Sequence, residues 1–262
     1  MSKQLENKKI VIIGGTAGLG LSAAKAFIRE GAQVVVTGRN VASVTEAKKI
    51  LGEGAESMSA DATVPGTTAK AIEFCTTQFG SFDGLYHIAG GSGRKMGDGP
   101  LHELTLEGWI KTMELNLTSL MLSNQAAVKV FLSLKKTGSI LNMSSVLGFS
   151  PSPKYFSTHA YAAAKAGIIG FSKSIAAYYA KDNIRINVIA PALVETPMAQ
   201  RAAQDESILS FIKTKQPLDN GRIGQPEDLD GLAIYFMSDL SKFTTGQTIS
   251  VDGGWPISDG QF

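Results

Sequence analysis

Tyr161 and Lys165 stand four residues apart in the run Ser-Thr-His-Ala-Tyr-Ala-Ala-Ala-Lys-Ala-Gly. On a helix that spacing puts both side chains on one face, an ammonium beside a phenol. A neighbouring cation favours phenolate and draws a tyrosine pKa from about 10 toward neutrality. Such a phenol can exchange a proton with an alcohol or a carbonyl oxygen. With 6 tyrosines in 262 residues, chance supplies roughly 0.4 matches to Tyr-x-x-x-Lys. The surroundings have to decide whether this pair does chemistry.

Those surroundings are short apolar runs alternating with helical patterns. Strands are expected at 10–13, 33–37, 56–60, 84–88, 138–143, 184–189 and 247–251, and helices near 18–30, 41–51, 65–79, 105–134, 160–180 and 226–239. Continuous apolar strands separated by helices imply an α/β fold, a doubly wound, Rossmann-type sheet of about seven parallel strands with helices on both faces. Such sheets bind ligands beyond the carboxyl ends of their strands. The loops at 14–20, 38–40, 61–64, 89–100, 144–160 and 190–215 are therefore where a site is expected.

Composition narrows the class. No linker or internal repeat interrupts the 262 residues, which suggests a single domain over 1–262. The net charge is +2, without a basic run, which argues against nucleic acid or an anionic membrane as partner. The lone Cys75 permits no internal disulfide, in keeping with a cytoplasmic protein, and it falls in a helical pattern where a core thiol is expected. The polar N-terminus lacks a signal-peptide apolar region, and no apolar run is long enough to span a bilayer. His87, His102 and His159 are scattered without ligand spacing, so no metal site is expected.

The first strand runs into Gly14-Gly15-Thr16-Ala17-Gly18-Leu19-Gly20 and then a helix. Glycines permit a tight turn and let a pyrophosphate approach backbone amides at the helix N-terminus. After the second strand, Gly38 stands where an NAD site would offer an acid, and Arg39 follows it. An arginine there accommodates a 2′-phosphate, so NADP(H) is expected over NAD(H), the alternative being a solvated loop arginine. Asp61, followed by Ala62, either meets an adenine amino group or N-caps the next helix.

Taken in order, these residues resemble the short-chain dehydrogenase/reductase family, in its single-domain branch. The match covers nearly the whole chain: the turn at 14–20, Asp61, Ile88-Ala89-Gly90, Asn116, Ser144-Ser145, Tyr161-x-x-x-Lys165, Pro191 with Thr196, and Val251-Asp252-Gly253-Gly254. The resemblance implies an oxidoreductase that passes a hydride between NADP(H) and a carbonyl or secondary alcohol. It implies Tyr161 as general acid/base and Lys165 on the nicotinamide ribose, depressing the Tyr161 pKa. Ser145 would polarise the substrate oxygen, and Asn116 would hold a water that relays protons from Lys165. Pro191, the Val194 backbone and the Thr196 hydroxyl would meet the carboxamide end of the cofactor. The family's serine precedes a small turn matched by 145–148, and strand alternation should point Ser144 away from Ser145. For Asn116 a local backbone bond within the helix is the alternative, and for Thr196 an N-cap before Pro197.

The chain departs from the family pattern at Ile13, Ala17, His87 and Ala192. His87 replaces an asparagine and is expected to be a satisfied structural histidine. The stretch 146–160 is longer than usual, and Tyr155, Phe156 and His159 are its candidate substrate contacts, with an exposed surface insertion as the alternative. Residues 193–216, with Leu193 at their start, resemble the family's substrate lid, with an ordinary amphipathic helix packed on the domain as the alternative. Arg94 and Lys95 could hold an anionic group, with solvated loop charges as the alternative. Related proteins assemble through the helices at 105–134 and 160–180, so a homo-oligomer, tetramer or dimer, is expected. Trp255–Phe262 is read as a segment that could cover a neighbouring subunit. The alternative to an enzyme is a non-catalytic NADP-binding sensor, which the intact Asn116, Ser145, Tyr161 and Lys165 disfavour. A dehalogenase or lyase on the same fold is disfavoured by the intact glycine turn and lysine.

Overall fold

The computed structural model describes residues 3–260. Its seven strands are β1 (Lys9–Ile13), β2 (Gln33–Gly38), β3 (Ala55–Ser59), β4 (Gly84–His87), β5 (Gly138–Met143), β6 (Ile184–Pro191) and β7 (Thr248–Val251). They form one sheet in the order β3-β2-β1-β4-β5-β6-β7, and every neighbouring pair is parallel. The central strands β1, β2, β4, β5 and β6 are buried along nearly their whole length. That two-sided burial is why they read as unbroken apolar runs. The edge strands β3 and β7 are only partly covered and carry mixed sequences.

Nine α-helices connect or follow these strands among the described residues: α1 (Gly18–Arg29), α2 (Val41–Leu51), α3 (Thr67–Phe79), α4 (Leu106–Met113), α5 (Ser119–Ser133), α6 (His159–Tyr179), α7 (Gln200–Ala203), α8 (Glu206–Lys215) and α9 (Asp230–Met237). Alternation along the strands splits the core in two. Ile10, Ile12, Val34 and Val36 pack with Phe27 of α1 and Phe236 of α9. Val11, Ile13 and Val35 pack on the opposite face with Ile72 of α3 and Phe131 of α5. The result is a Rossmann-like sheet with helices around it. Among the described residues no helix is long and apolar enough to cross a membrane.

Two expected elements differ. The helix expected over 105–134 is interrupted by a π-helical turn at Glu114–Thr118. Within it the Asn116 side chain donates to Thr112 O at 2.9 Å. A π-turn inside a helix often marks a functional position. The helix expected over 226–239 starts as a 3₁₀ turn, Pro226–Leu229, before α9. Trp255 heads the segment that could cover a neighbouring subunit. It is buried in its own chain, its Nε1 donating to Ser150 O at 3.1 Å. Gln261 and Phe262, the end of that segment, lie outside the described residues.

Candidate active site

A cavity of about 840 Å³ opens beyond the carboxyl ends of the strands. One end is built by the turn between β1 and α1. Gly14 and Gly15 donate to Thr37 O at 3.1 and 2.9 Å, which folds the turn against β2. Gly14, Thr16, Ala17, Gly18 and Leu19 line the cavity. Ala17 is the N-cap of α1 and supplies no side-chain hydrogen bond. The first amides of α1 therefore have no cap of their own and face a cavity in which an anion would satisfy them. Gly20 is set behind this wall, not in it. A Cβ there would lie 2.1 Å from Gly14 O, so the residue closes the turn instead of touching a ligand.

The end of β2 explains the missing acid. A Cβ on Gly38 would fall 2.2 Å from the Thr16 hydroxyl oxygen, so Thr16 occupies the space an acidic side chain would need. Arg39, exposed at the same rim, lines the cavity with Asp61 and Ala62. Asp61 does not cap α3, whose N-cap is Gly66. Its Oδ1 accepts from Thr63 N at 2.9 Å and Thr63 Oγ1 at 2.7 Å. These bonds, with the Arg39 charge, hold the carboxyl below its usual range. Ala89, Gly90, Pro191, Val194 and Thr196 complete this end. Val194 is pinned by a bridge to Gly224, and the Thr196 side chain forms no cap on the following turn. An uncapped helix start and a narrow glycine turn, with an exposed arginine at the β2 rim, fit a dinucleotide.

Tyr161 and Lys165 project from the first turns of α6 into the middle of the cavity. Lys165 is buried, donates to Met143 O at 3.0 Å, and lies 5.4 Å from the Tyr161 ring centroid. Burial pushes the Tyr161 hydroxyl up to about 12, against a hydrogen bond with Ser145 that pulls it down. Burial also draws Lys165 down to about 8. For Tyr161 the downward pull comes from Ser145, and desolvation outweighs it. Ser145 lines the cavity, with its hydroxyl accepting from Leu147 N at 3.2 Å. Ser144 turns the other way, donating to Lys165 O at 2.7 Å.

Asn116 is fully buried and lies outside the cavity wall. Its Oδ1 accepts from Gly91 N and its Nδ2 donates to Gly91 O, both at 3.0 Å. The local bond to Thr112 and a clasp on the β4 loop therefore occur together. Only Gly90 separates it from Lys165: a Cβ there would lie 2.7 Å from Asn116 Oδ1 and 3.5 Å from Lys165 Nζ. His87 is buried, with Nδ1 2.8 Å from Ser123 Oγ and Nε2 3.0 Å from Ala89 O. Burial and the Lys165 charge push it down to about 3, so it is a neutral tie between β4 and α5.

What holds α6 in place was not foreseen. Its N-cap, Thr158, makes no side-chain cap. Instead the buried Asp98, from the glycine-rich loop 91–100, accepts from Ala160 N at 3.0 Å on one oxygen and from Tyr161 N at 2.9 Å on the other. A distant carboxylate fixes the turn that carries Tyr161, and no local pattern announces it.

The other end of the cavity is apolar. Val146, Leu147, Phe156, Leu193 and Trp255 line it. Trp255 meets Phe156 and Phe211 edge-on, each with centroids 5.8 Å apart. Leu193 is held from both sides by the Gln216 amide, at 3.0 and 3.2 Å. Two expected contacts are not part of this wall. Tyr155 packs its ring on Phe211, 5.2 Å away, and the side chain of His159 is exposed at the start of α6. Trp255 and Gln216 were missed because both arrive from far along the chain.

A family model described as enoyl-(acyl carrier protein) reductase matches residues 14–256. The chain is 33% identical over 261 residues to 2-(S)-hydroxypropyl-CoM dehydrogenase 3 of Xanthobacter autotrophicus, covering 97% of this chain and 98% of that one. It is 32% identical over 259 residues to the NADP-dependent (R)-specific alcohol dehydrogenase of Lentilactobacillus kefiri, covering 97% and 99%. The crystal structure of a short-chain type dehydrogenase/reductase from Mycobacterium marinum matches with a TM-score of 0.89 at 26% identity, covering 98% of each chain.

Proposed function

This chain belongs to the short-chain dehydrogenase/reductase family, and from that premise we propose that it is an NADP(H)-dependent oxidoreductase acting on a small carbonyl or secondary alcohol. Its relatives are named dehydrogenases and reductases, which supports the reaction class. Members of the family use NAD(P)(H), and Arg39 beside the closed Gly38 position favours the phosphorylated form. When bound, the nicotinamide supplies or accepts the hydride.

The residues of this chain do the rest. The uncapped start of α1 holds the pyrophosphate, Arg39 the 2′-phosphate, and Val194 and Thr196 the carboxamide end. Lys165 holds the ribose. Ser145 donates a hydrogen bond to the substrate oxygen and Tyr161 transfers the proton. In reduction the carbonyl carbon gains the hydride and its oxygen gains the Tyr161 proton, giving the alcohol; oxidation reverses both. A phenol held protonated by burial is suited to the donor role. Asn116, next to Lys165 across Gly90, fixes the loop past which that proton is replaced. The single observation that carries this reading is the convergence of Ser145, Tyr161 and Lys165 in one cavity with the glycine turn.

The same reading treats 1–262 as one dinucleotide-binding and catalytic domain with 193–216 as its substrate lid. It extends to a cytoplasmic homo-oligomer, a dimer or tetramer, supported by exposed apolar residues on α4–α6 such as Trp109, Ile110 and Tyr178; sedimentation with the purified protein checks the assembly. The function is tested with Tyr161→Phe. Turnover of ketones with NADPH should fall by roughly 10²–10⁴-fold, while NADPH binding, followed by fluorescence, persists. Retained turnover would remove Tyr161 from the chemistry, and a wild-type protein that binds NADPH but reduces no ketone or aldehyde would favour the sensor.

A further inference from the structure

Two guanidinium groups meet at the mouth of the apolar end. Arg94, from the 91–100 loop, donates through Nη2 to Tyr155 O at 3.1 Å, and Arg201, from α7, donates through Nη2 to the same oxygen at 3.3 Å. Both line the cavity, as does Lys95. Lys154 adds a fourth cation, its Nζ 5.1 Å from the Tyr155 ring centroid. Both guanidinium side chains are exposed, so solvent screens their mutual repulsion, and an anion placed between them would relieve what remains.

Among the described residues, the arginine ion pairs are those of Arg222 with Asp219 and Asp228. Asp98 acts on Arg94 electrostatically, but both of its oxygens are engaged by the first amides of α6. Burial and the Arg201 charge hold the Arg94 guanidinium below its usual range, with Asp98 only partly opposing. Three of these cations, Arg94, Lys95 and Arg201, line one rim of the cavity, in a chain whose net charge is only +2. Each guanidinium spends one amino group on Tyr155 O and keeps further N–H donors, in the planar geometry that grips an oxyanion from two sides.

We infer that Arg94 and Arg201 form the binding site for an anionic group on the substrate, which makes the substrate a carbonyl or alcohol carrying a carboxylate or similar oxyanion. The inference rests on the hydride-transfer reading for the substrate's reacting end. The apolar wall of Phe156, Leu193 and Trp255 takes the carbon chain between the two ends, and Tyr161 sits at the reacting end.

The test uses three keto acids of increasing length, acetoacetate, 4-oxopentanoate and 5-oxohexanoate, each beside its methyl ester. Reduction with NADPH gives kcat/KM for every pair, and titration of the NADP⁺-loaded protein, followed by ligand-observed NMR, gives binding without turnover. The best keto acid should exceed its ester by roughly tenfold or more in both measurements, as expected for a charge-assisted pair. In the Arg94→Gln/Arg201→Gln double variant that ratio should collapse toward one, and raised salt should reduce it in the wild type. Esters that match or exceed every acid in binding, or an acid preference that survives in the double variant, would overturn the inference. Arginine-dependent binding of a keto acid with no reduction of any pair would instead sink the hydride-transfer reading and leave the anion site standing.

Discussion

The two ends of the cavity are built by opposite means. The end assigned to the cofactor is made of backbone: the glycine turn folded onto Thr37 O, the bare first turn of α1, and the 194–195 segment pinned to Gly224. The end assigned to the substrate is made of side chains brought from four separate segments, with Phe156, Leu193, Phe211 and Trp255 held by mutual packing. A backbone site tolerates little change at the residues that shape it and says little about its ligand beyond phosphate. A side-chain site can be rebuilt by substitution, and it is there that relatives with different named substrates can differ while sharing one sheet. Between the two ends stands α6, whose Tyr161 must serve both.

The contrast predicts where small changes have large effects. Gly20→Ala adds a single methyl carbon, but that carbon falls 2.1 Å from Gly14 O, a backbone atom that cannot rotate away. Overpacking of this kind costs about 1–3 kcal/mol or more, and here it also displaces the turn that receives the pyrophosphate. A large drop in melting temperature together with weaker NADPH binding is expected. A variant that melts and binds like the wild type would show that the turn is compliant, and the contrast would lose its firm side.

The second substitution asks how finely the backbone end selects its ligand. Arg39→Asp removes the cation at the β2 rim and places an acid where the ribose hydroxyls would lie. Losing charge-assisted bonds to a phosphate is worth roughly tenfold or more in relative kcat/KM, so the NADPH/NADH ratio should fall by at least that factor. Because Thr16 blocks the Gly38 position, an acid at 39 is the less obstructed route to NAD. An unchanged ratio would mean that Arg39 is a solvated loop residue.

This division also explains what could be read from the chain beforehand. The positions of the strands along the chain and the placement of Tyr161, Lys165 and the glycine turn were legible because each rests on local periodicity or a short motif. The boundaries moved by only a residue or two at most strands, as at β1 and β3. Asp98, Trp255 and Gln216 were not legible, since each acts on a residue tens of positions away, and nothing in a loop sequence declares such a partner. Tyr155 and His159 were plausible as loop aromatics near the tyrosine, but in space Phe211 draws one away and the start of α6 turns the other outward. The π-turn at Asn116 likewise depends on Gly91, in a different loop. The upward push on the Tyr161 hydroxyl was not legible for a related reason: a motif shows a neighbouring charge, whereas desolvation is set by the whole wall of the cavity.

Asp98 offers the finest probe of the boundary between the two ends. Its two oxygens accept from two successive amides, Ala160 and Tyr161, at the start of a 21-residue helix. Asp98→Asn keeps one acceptor and replaces the other with a donor that faces an N–H, while removing the negative charge from the helix N-terminus. Loss of a helix cap costs about 1 kcal/mol, and the charge adds a few tenths more. The melting temperature should fall modestly and kcat should fall with it, because the turn that loosens is the one that aims the Tyr161 hydroxyl. The pH profile of kcat should shift as the burial of that hydroxyl changes, which a purely structural lesion elsewhere would not produce. NADPH affinity should hold, since Asp98 touches neither the glycine turn nor the β2 rim. If NADPH binding weakened in step with kcat, the helix and the glycine turn would be one cooperative unit, and the division between a backbone end and a side-chain end would dissolve at the residue that joins them.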